Sequence, residues 1–161
     1  MKVKRTERGW AGHFICANRC RFRRNTLLEK GDVRIVVSSV GLMEKWTGDP
    51  RQDRNVSEFE TIGFERYYET MVFHAEPAPS RYFDADVSRE VNFAAPWCIA
   101  EIDADDKANA QHDAVVAEIE ERMAAGEFDN ANTGHQGTTH LVRRTLDGFV
   151  QPPNSNNKSK G

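Results

Sequence analysis

The 161-residue sequence lacks the features that mark several large classes of protein. No apolar run approaches the roughly 18 residues that a membrane-spanning helix requires, so we expect no membrane partner. The first ten residues, MKVKRTERGW, are charged and contain no apolar stretch, from which we expect no secretory signal and a cytoplasmic location in a bacterial host cell. The three cysteines are few and odd in number, which favours reduced thiols over a disulfide framework.

The sequence also lacks the short motifs of common enzymes. It has no phosphate-binding glycine loop, no GxSxG or HExxH segment and no dinucleotide-binding fingerprint. We therefore assign no catalytic residue, no metal ligand and no cofactor from the sequence alone.

The residue patterns that are present predict an α+β fold. We expect a single domain over residues 1–128 and a polar, disordered tail over residues 129–161. Alternation of residue types and runs of β-branched residues between about residue 9 and residue 100 predict an antiparallel sheet of four to six strands. The most secure pair of strands is a hairpin with its turn at 29–32, and residues 59–75 form one long strand or two strands divided near Gly63.

A helix is predicted from about residue 104 to residue 125. Its apolar positions recur at the helical spacing of 3.6 residues, in a narrow stripe that suits packing on a sheet face: Ala108, His112, Val115, Val116, Ile119 and Met123. We expect Asp103 or Asp105 to cap the N-terminus, Gly126 to follow the C-terminus, and Glu118 to pair with Arg122.

The net charge of −3 hides an asymmetry along the chain. Residues 1–35 carry ten basic groups and three acidic ones, whereas residues 84–129 carry thirteen acidic groups and three basic ones. Either the two regions lie side by side and neutralise each other, or one of them contacts a partner.

Both charged regions are candidate binding surfaces. The alternation around Cys20 and Phe22 predicts an arginine-lined hairpin face that would track phosphates of a nucleic acid, with the candidate residues Arg19, Arg21, Arg23, Arg24 and Arg34. The predicted helix presents carboxylates that would fit a basic protein or nucleoprotein groove: Asp105, Asp106, Asp113, Glu118, Glu120 and Glu121. Each set of side chains has a simpler interpretation as a solvated face.

Metal and hydrolytic sites are weaker hypotheses. A site of His13, Cys16 and Cys20 has the wrong spacing for a zinc knuckle, and in a strand His13 and Cys16 would point to opposite faces. The enzyme alternative is a metal-dependent hydrolase or nuclease that uses four residues: His13, His74, Asp84 and Asp86. We expect the acidic pair in that set to be an ordinary solvated loop.

Several whole segments, among them ERGWAGHFICANRCRFRRNTLLEKGDVRIVVSSVGLM and FETIGFERYYETMVFHA, give the chain a resemblance that covers residues 7 to about 125. The chain resembles small uncharacterised accessory proteins encoded by bacteriophages and prophages. That resemblance implies stoichiometric binding to a protein or nucleoprotein partner, including inhibition of host defence in the manner of anti-CRISPR or anti-restriction proteins. It carries no catalytic residues and predicts no particular oligomeric state.

Overall fold

A computed structural model describes residues 1–9, 13, 14, 16–45, 48, 58–77 and 83–130. Over these ranges the chain forms a seven-stranded antiparallel sheet with one helix packed on it, which confirms the predicted α+β fold. From residue 131 onward the predicted tail lies outside the described residues. The elements are β1 (Lys4–Arg8), a 3-10 turn (Ala17–Arg19), β2 (Cys20–Lys30), β3 (Val33–Glu44), β4 (Phe59–Glu60), β5 (Tyr68–Pro77), β6 (Phe83–Glu90), β7 (Cys98–Ile99) and α1 (Asp105–Ala124).

The main strands follow the order β1-β2-β3-β5-β6, with the two-residue strand β4 paired to β3 and β7 paired to β5. Strands β2 and β3 are the predicted hairpin, and their turn contains Gly31 with a φ of 57°, a backbone conformation that glycine adopts at no steric cost. Strand β3 lies at the centre and is buried along most of its length. Its side chains therefore have close neighbours on both faces of the sheet.

Helix α1 covers one face of the sheet. Its apolar stripe, including Val115, Ile119 and Met123, packs on Leu28 and Ile35, all of them at most 1% exposed. Burying each such side chain contributes about 2 kcal/mol, so this layer fixes the helix on the sheet. The opposite face carries smaller apolar clusters, which contain Leu27, Val36 and Ala75 in one case and Ala17, Cys20, Val40 and Met43 in the other.

The helix begins and ends close to the predicted residues, but its N-terminal cap differs. The N-cap is Ala104, which has no capping side chain, so the prediction of Asp103 or Asp105 is wrong. The hydroxyl of Tyr68 accepts a hydrogen bond from the Ala104 N–H and donates one to Asp105. A side chain from β5 thus satisfies the end of the helix, a long-range contact that local sequence does not show. Gly126 follows the helix with a φ of 83°, as predicted.

One other local expectation is corrected. The described residues His13, Phe14 and Cys16 form no strand and precede the 3-10 turn, so the parity argument for His13 and Cys16 does not apply. Of the two alternatives predicted for residues 59–75, the structure has two strands, separated near Gly63 by a tight turn in which Glu65 takes a φ of 53°.

The alternation of β2 predicts Cys20 and Phe22 in the core, on one face of the strand, and both are buried, but they pack in different apolar clusters. Between their ladder partners on β3, Met43 and Gly41, Leu42 takes a φ of 52°. This departure from extended backbone distorts the end of the hairpin that carries both residues.

Candidate functional site

The arginines of the predicted basic face are largely engaged by carboxylates of the same chain. Arg21 lies 2.8 Å from Glu44, and Arg19 contacts the Glu44 carbonyl and Glu60. Arg34 pairs with Glu29 at 3.4 Å, and Arg23 is exposed. Arg24 lies on the opposite side of β2, toward the helix.

Arg24 joins the basic and acidic regions of the chain. Its guanidinium contacts Glu7 of β1 at 3.1 Å and Asp113 of the helix at 2.9 Å, while Arg5 also reaches Asp113. Past the helix C-terminus, Lys30 of β2 pairs with Asp129. The hairpin and the acidic region therefore lie side by side and neutralise each other in part.

The acidic residues of the helix fall into two groups. Asp105 and Asp113 are engaged as described, and Glu118 accepts hydrogen bonds from the backbone N–H groups of Ala94 and Ala95 and lies 3.7 Å from Arg122, the predicted pair. By contrast, no cation of the described chain forms an ion pair with the remaining carboxylates on the helix, which are those of Asp106, Glu120 and Glu121.

The four residues of the hydrolase hypothesis do not converge. His13 lies on the sheet face that the helix leaves open, whereas His74 is buried on the helix face against the ring of Phe128. Asp84 is exposed on β6 and accepts a hydrogen bond from the backbone of its neighbour. In the described part of the chain, no group of three or more His, Cys, Asp or Glu side chains has the arrangement of a metal site.

A polar network that the sequence did not predict surrounds the side chain of His13. The Nδ1 atom of His13 is 2.6 Å from the hydroxyl of Ser38 on β3, and its Nε2 atom is 3.1 Å from the carboxylate of Glu69 on β5. Arg66 donates to the second oxygen of that carboxylate at 3.0 Å. Ser38 is fully buried and Glu69 is 5% exposed, so this is a closed polar site inside the sheet packing.

The ends of this network fix the direction of its hydrogen bonds. Burial raises the pKa of Glu69, but the hydrogen bond from His13, the positive charge of a protonated His13 and the charge of Arg66 outweigh burial and hold that pKa below its ordinary value. The carboxylate is thus ionised at neutral pH and can only accept, so the Nε2 atom of His13 must carry the proton. If the ring carries only this proton, Nδ1 accepts from the Ser38 hydroxyl, and the chain of donation runs from serine to histidine to carboxylate.

A second histidine network occupies the other face of the same two strands. The Nδ1 atom of His112 on the helix is 2.6 Å from the hydroxyl of Ser39, and its Nε2 atom is 2.8 Å from that of Thr26. Ser39 also contacts Thr70 of β5 at 2.6 Å, and Thr26 donates to Glu7 at 2.8 Å. Because the Glu7 carboxylate accepts from Thr26, Thr26 must accept from His112 Nε2–H, and His112 Nδ1 must accept from Ser39.

The two buried histidines on the helix side of the sheet, His112 and His74, are neutral at neutral pH in the folded protein. Burial and the positive charge of Arg24 lower the pKa of His112 to about 4, and burial together with Arg89 lowers the pKa of His74 to about 4. For Glu7, burial raises the pKa, yet the hydrogen bond from Thr26 and the charge of Arg24 leave it below its ordinary value. This agrees with a neutral His112 that donates toward an ionised Glu7.

Sequence reasoning missed these networks because their members come from distant parts of the chain. A usable sign was present, however. Ser38 and Ser39 interrupt the β-branched run of the second hairpin strand, and Glu69 and Thr70 interrupt the apolar pattern of β5. Polar side chains in buried strands almost always have hydrogen-bond partners, so these pairs indicated buried partners on both faces.

Comparison with protein-family models, with curated protein sequences and with solved structures finds no match to this chain. Among the described residues, no helix is both long and apolar enough to cross a membrane.

Proposed function

We propose that this protein acts by stoichiometric binding to a protein or nucleoprotein partner, and that the outer face of helix α1 is the contact surface. The observation that carries this proposal is the unequal pairing of charge. Most arginines of the hairpin are held by the chain's own carboxylates, whereas four carboxylates on the helix have no cationic partner in the described chain, and only one of them, Asp105, is held by another side chain.

The geometry of the helix supports this choice of surface. At about 100° per residue, the outward positions from Asp106 to Ala124 fall within an arc of about 120°. Besides Asp106, Glu120, Glu121 and the ion-paired Asp113, this arc contains exposed residues with short side chains: Ala110, Ala114, Ala117 and Ala124. The carboxylates therefore protrude from a surface of low relief, which suits the basic groove of a protein that handles nucleic acid.

The resemblance to phage and prophage accessory proteins supports the setting. In that setting the partner would belong to host defence, and occupation of its nucleic-acid groove would inhibit it. Such an inhibitor needs no turnover, which is consistent with a binding surface made of charge and shape alone. The nucleic-acid-binding alternative has less support, because Arg19, Arg21 and Arg24 are already engaged by carboxylates of the chain.

The test is affinity capture from host extract with the protein immobilised, followed by elution with short duplex DNA. We expect a nucleic-acid-binding protein to be retained and then displaced by the DNA. The triple variant Asp106→Lys, Glu120→Lys, Glu121→Lys should lose it. A matched variant with the same change of charge at exposed positions off the helix, Glu58→Lys, Glu65→Lys, Asp84→Lys, should retain it.

Equal retention by both triple variants would overturn the proposal. So would a shift in the mobility of duplex DNA by the pure protein that is lost in a variant with Arg19, Arg21 and Arg23 changed to Glu, because that result would assign binding to the hairpin.

A further inference from the structure

The network around Ser38 contains the parts of a nucleophilic acyl-transfer site. A hydroxyl lies in hydrogen-bond contact with an imidazole, and the imidazole contacts an ionised carboxylate. This order of nucleophile, base and orienting group is the arrangement that activates serine in hydrolases. Here the Nδ1 atom of His13 faces the nucleophile and Nε2 faces Glu69.

A further side chain completes the constellation. Asn25 is the direct cross-strand partner of Ser38, so both side chains lie on the same face of the sheet. Its Oδ1 atom accepts a hydrogen bond of 2.9 Å from the Nε–H of Arg8, which can only donate, and this contact fixes the orientation of the amide. The Nδ2 group that remains is buried and has no hydrogen-bond partner among the described residues.

An unpartnered buried amide donor costs about 1 to 3 kcal/mol, so its place next to Ser38 calls for a function. A donor held beside a nucleophilic hydroxyl is suited to receive the negative oxygen that forms when the hydroxyl attacks a carbonyl carbon. The sheet supplies this donor from β2, the nucleophile from β3 and the orienting carboxylate from β5, all on rigid strands.

We infer that Ser38 is the nucleophile of an acyl-transfer site for a small ester, with His13 as base, Glu69 as the positioning residue and Asn25 as the oxyanion donor. Ser38 Oγ attacks the carbonyl carbon while its proton passes to His13 Nδ1. The tetrahedral oxyanion accepts a hydrogen bond from Asn25, then collapses, and the leaving alcohol takes the proton from His13. Water repeats the sequence at the acyl-serine and releases the carboxylic acid.

The burial of Ser38 restricts the acyl group to a small one, so the probe is p-nitrophenyl acetate, with peptide mass spectrometry to locate the acetyl group. We expect acetylation of Ser38 in the full chain. The matched control is Ser39→Ala, which removes the adjacent serine and its contact with His112 and should leave acetylation of Ser38 unchanged. Circular dichroism establishes that each variant is folded.

Two variants test the assigned roles. His13→Gln should slow acetylation of Ser38 about 1,000-fold through loss of the base. Asn25→Asp retains an acceptor for Arg8 but replaces the donor with a negative charge, and should slow it at least about 100-fold. Unmodified Ser38 in the unaltered protein, or acetylation at an unchanged rate in either folded variant, would overturn the inference. The binding surface of the helix is not involved, so neither result bears on the proposed function.

Discussion

The two histidine networks use adjacent residues of the same strands yet differ in how each histidine is held. His112 is carried by a 20-residue helix with a buried apolar stripe, and it reaches its carboxylate through the hydroxyl of Thr26. His13 belongs to no described helix or strand and contacts its carboxylate directly. Packing of the helix therefore positions His112, whereas polar contacts contribute more to the positioning of His13. Of the two networks, only that of His13 contains a buried ion pair, formed by Arg66 and Glu69.

The largest expected difference between the networks concerns their carboxylates. Glu69→Ala leaves Arg66 and His13 without their shared buried acceptor, and we expect a loss of about 4 kcal/mol in the free energy of unfolding. The side chain of Glu7 is 47% exposed, so Glu7→Ala should lower the free energy of unfolding by only about 1 kcal/mol. Urea denaturation at neutral pH measures both values. Equal losses would show that the depth of burial does not separate the two networks.

The next effect is a pH dependence on the helix side. The folded pKa of His112 and of His74 is about 4, below the ordinary value of 6.5, so the unfolded chain binds more protons between these values. The stability that each histidine contributes is fully present above pH 6.5 and is lost as the pH falls toward 4. We expect a loss of about 3 kcal/mol for each.

Denaturation of the wild type and of His112→Gln at several pH values between 4 and 7 tests this prediction. The variant should be less stable at neutral pH. Between pH 7 and pH 4, however, its free energy of unfolding should fall less than that of the wild type, by the roughly 3 kcal/mol that one histidine contributes. An identical slope in both proteins would mean that His112 does not remain neutral in the folded state.

A smaller difference is expected between the two serines. Ser39→Ala leaves the Thr70 O–H without an acceptor, although Gln111 still donates to Thr70 at 3.5 Å, and leaves His112 Nδ1 without a donor, whereas Ser38→Ala removes the partner of His13 Nδ1 alone. We expect losses of about 2 and about 1 kcal/mol, because each buried polar group left unpaired carries its own penalty. Thermal unfolding of the two single variants measures both losses. A larger loss for Ser38→Ala would contradict our assignment of Ser39 to the more connected network.

The smallest effect concerns the helix carboxylates that belong to neither network and form no ion pair within the described chain. The triple change of Asp106, Glu120 and Glu121 to Lys should alter the free energy of unfolding by less than about 0.5 kcal/mol, since these side chains form no ion pair within the described chain. Asp113→Lys should cost more, because Arg5 and Arg24 lose one of their two acidic partners and then face a positive charge. Chemical denaturation of both variants tests whether the proposed contact surface is independent of the fold.

The helix and the hairpin are the parts of the fold that the sequence could predict. The spacing of Ala108, Val115, Ile119 and Met123 sets the helix and its buried face, and His112 was part of that stripe. The β2–β3 hairpin follows from its β-branched run and turn residues. Local pattern determines these elements, so they were accessible without a structure.

The contacts of His13 were not accessible in this way. They join residue 13 to residues 38 and 69, and no local period connects positions so far apart. The helix cap from Tyr68 and the link from Arg24 to Asp113 were missed for the same reason.

The roles of His13 and His112 depend most on the direction of proton donation in the two networks. Long-range proton–nitrogen correlation spectra of the 15N-labelled protein at pH 7.5 report which ring nitrogen carries hydrogen in each histidine. We predict the Nε2–H form for both His13 and His112, with Nδ1 accepting from Ser38 and Ser39. An Nδ1–H form for either histidine would contradict the proposed relay from serine to carboxylate.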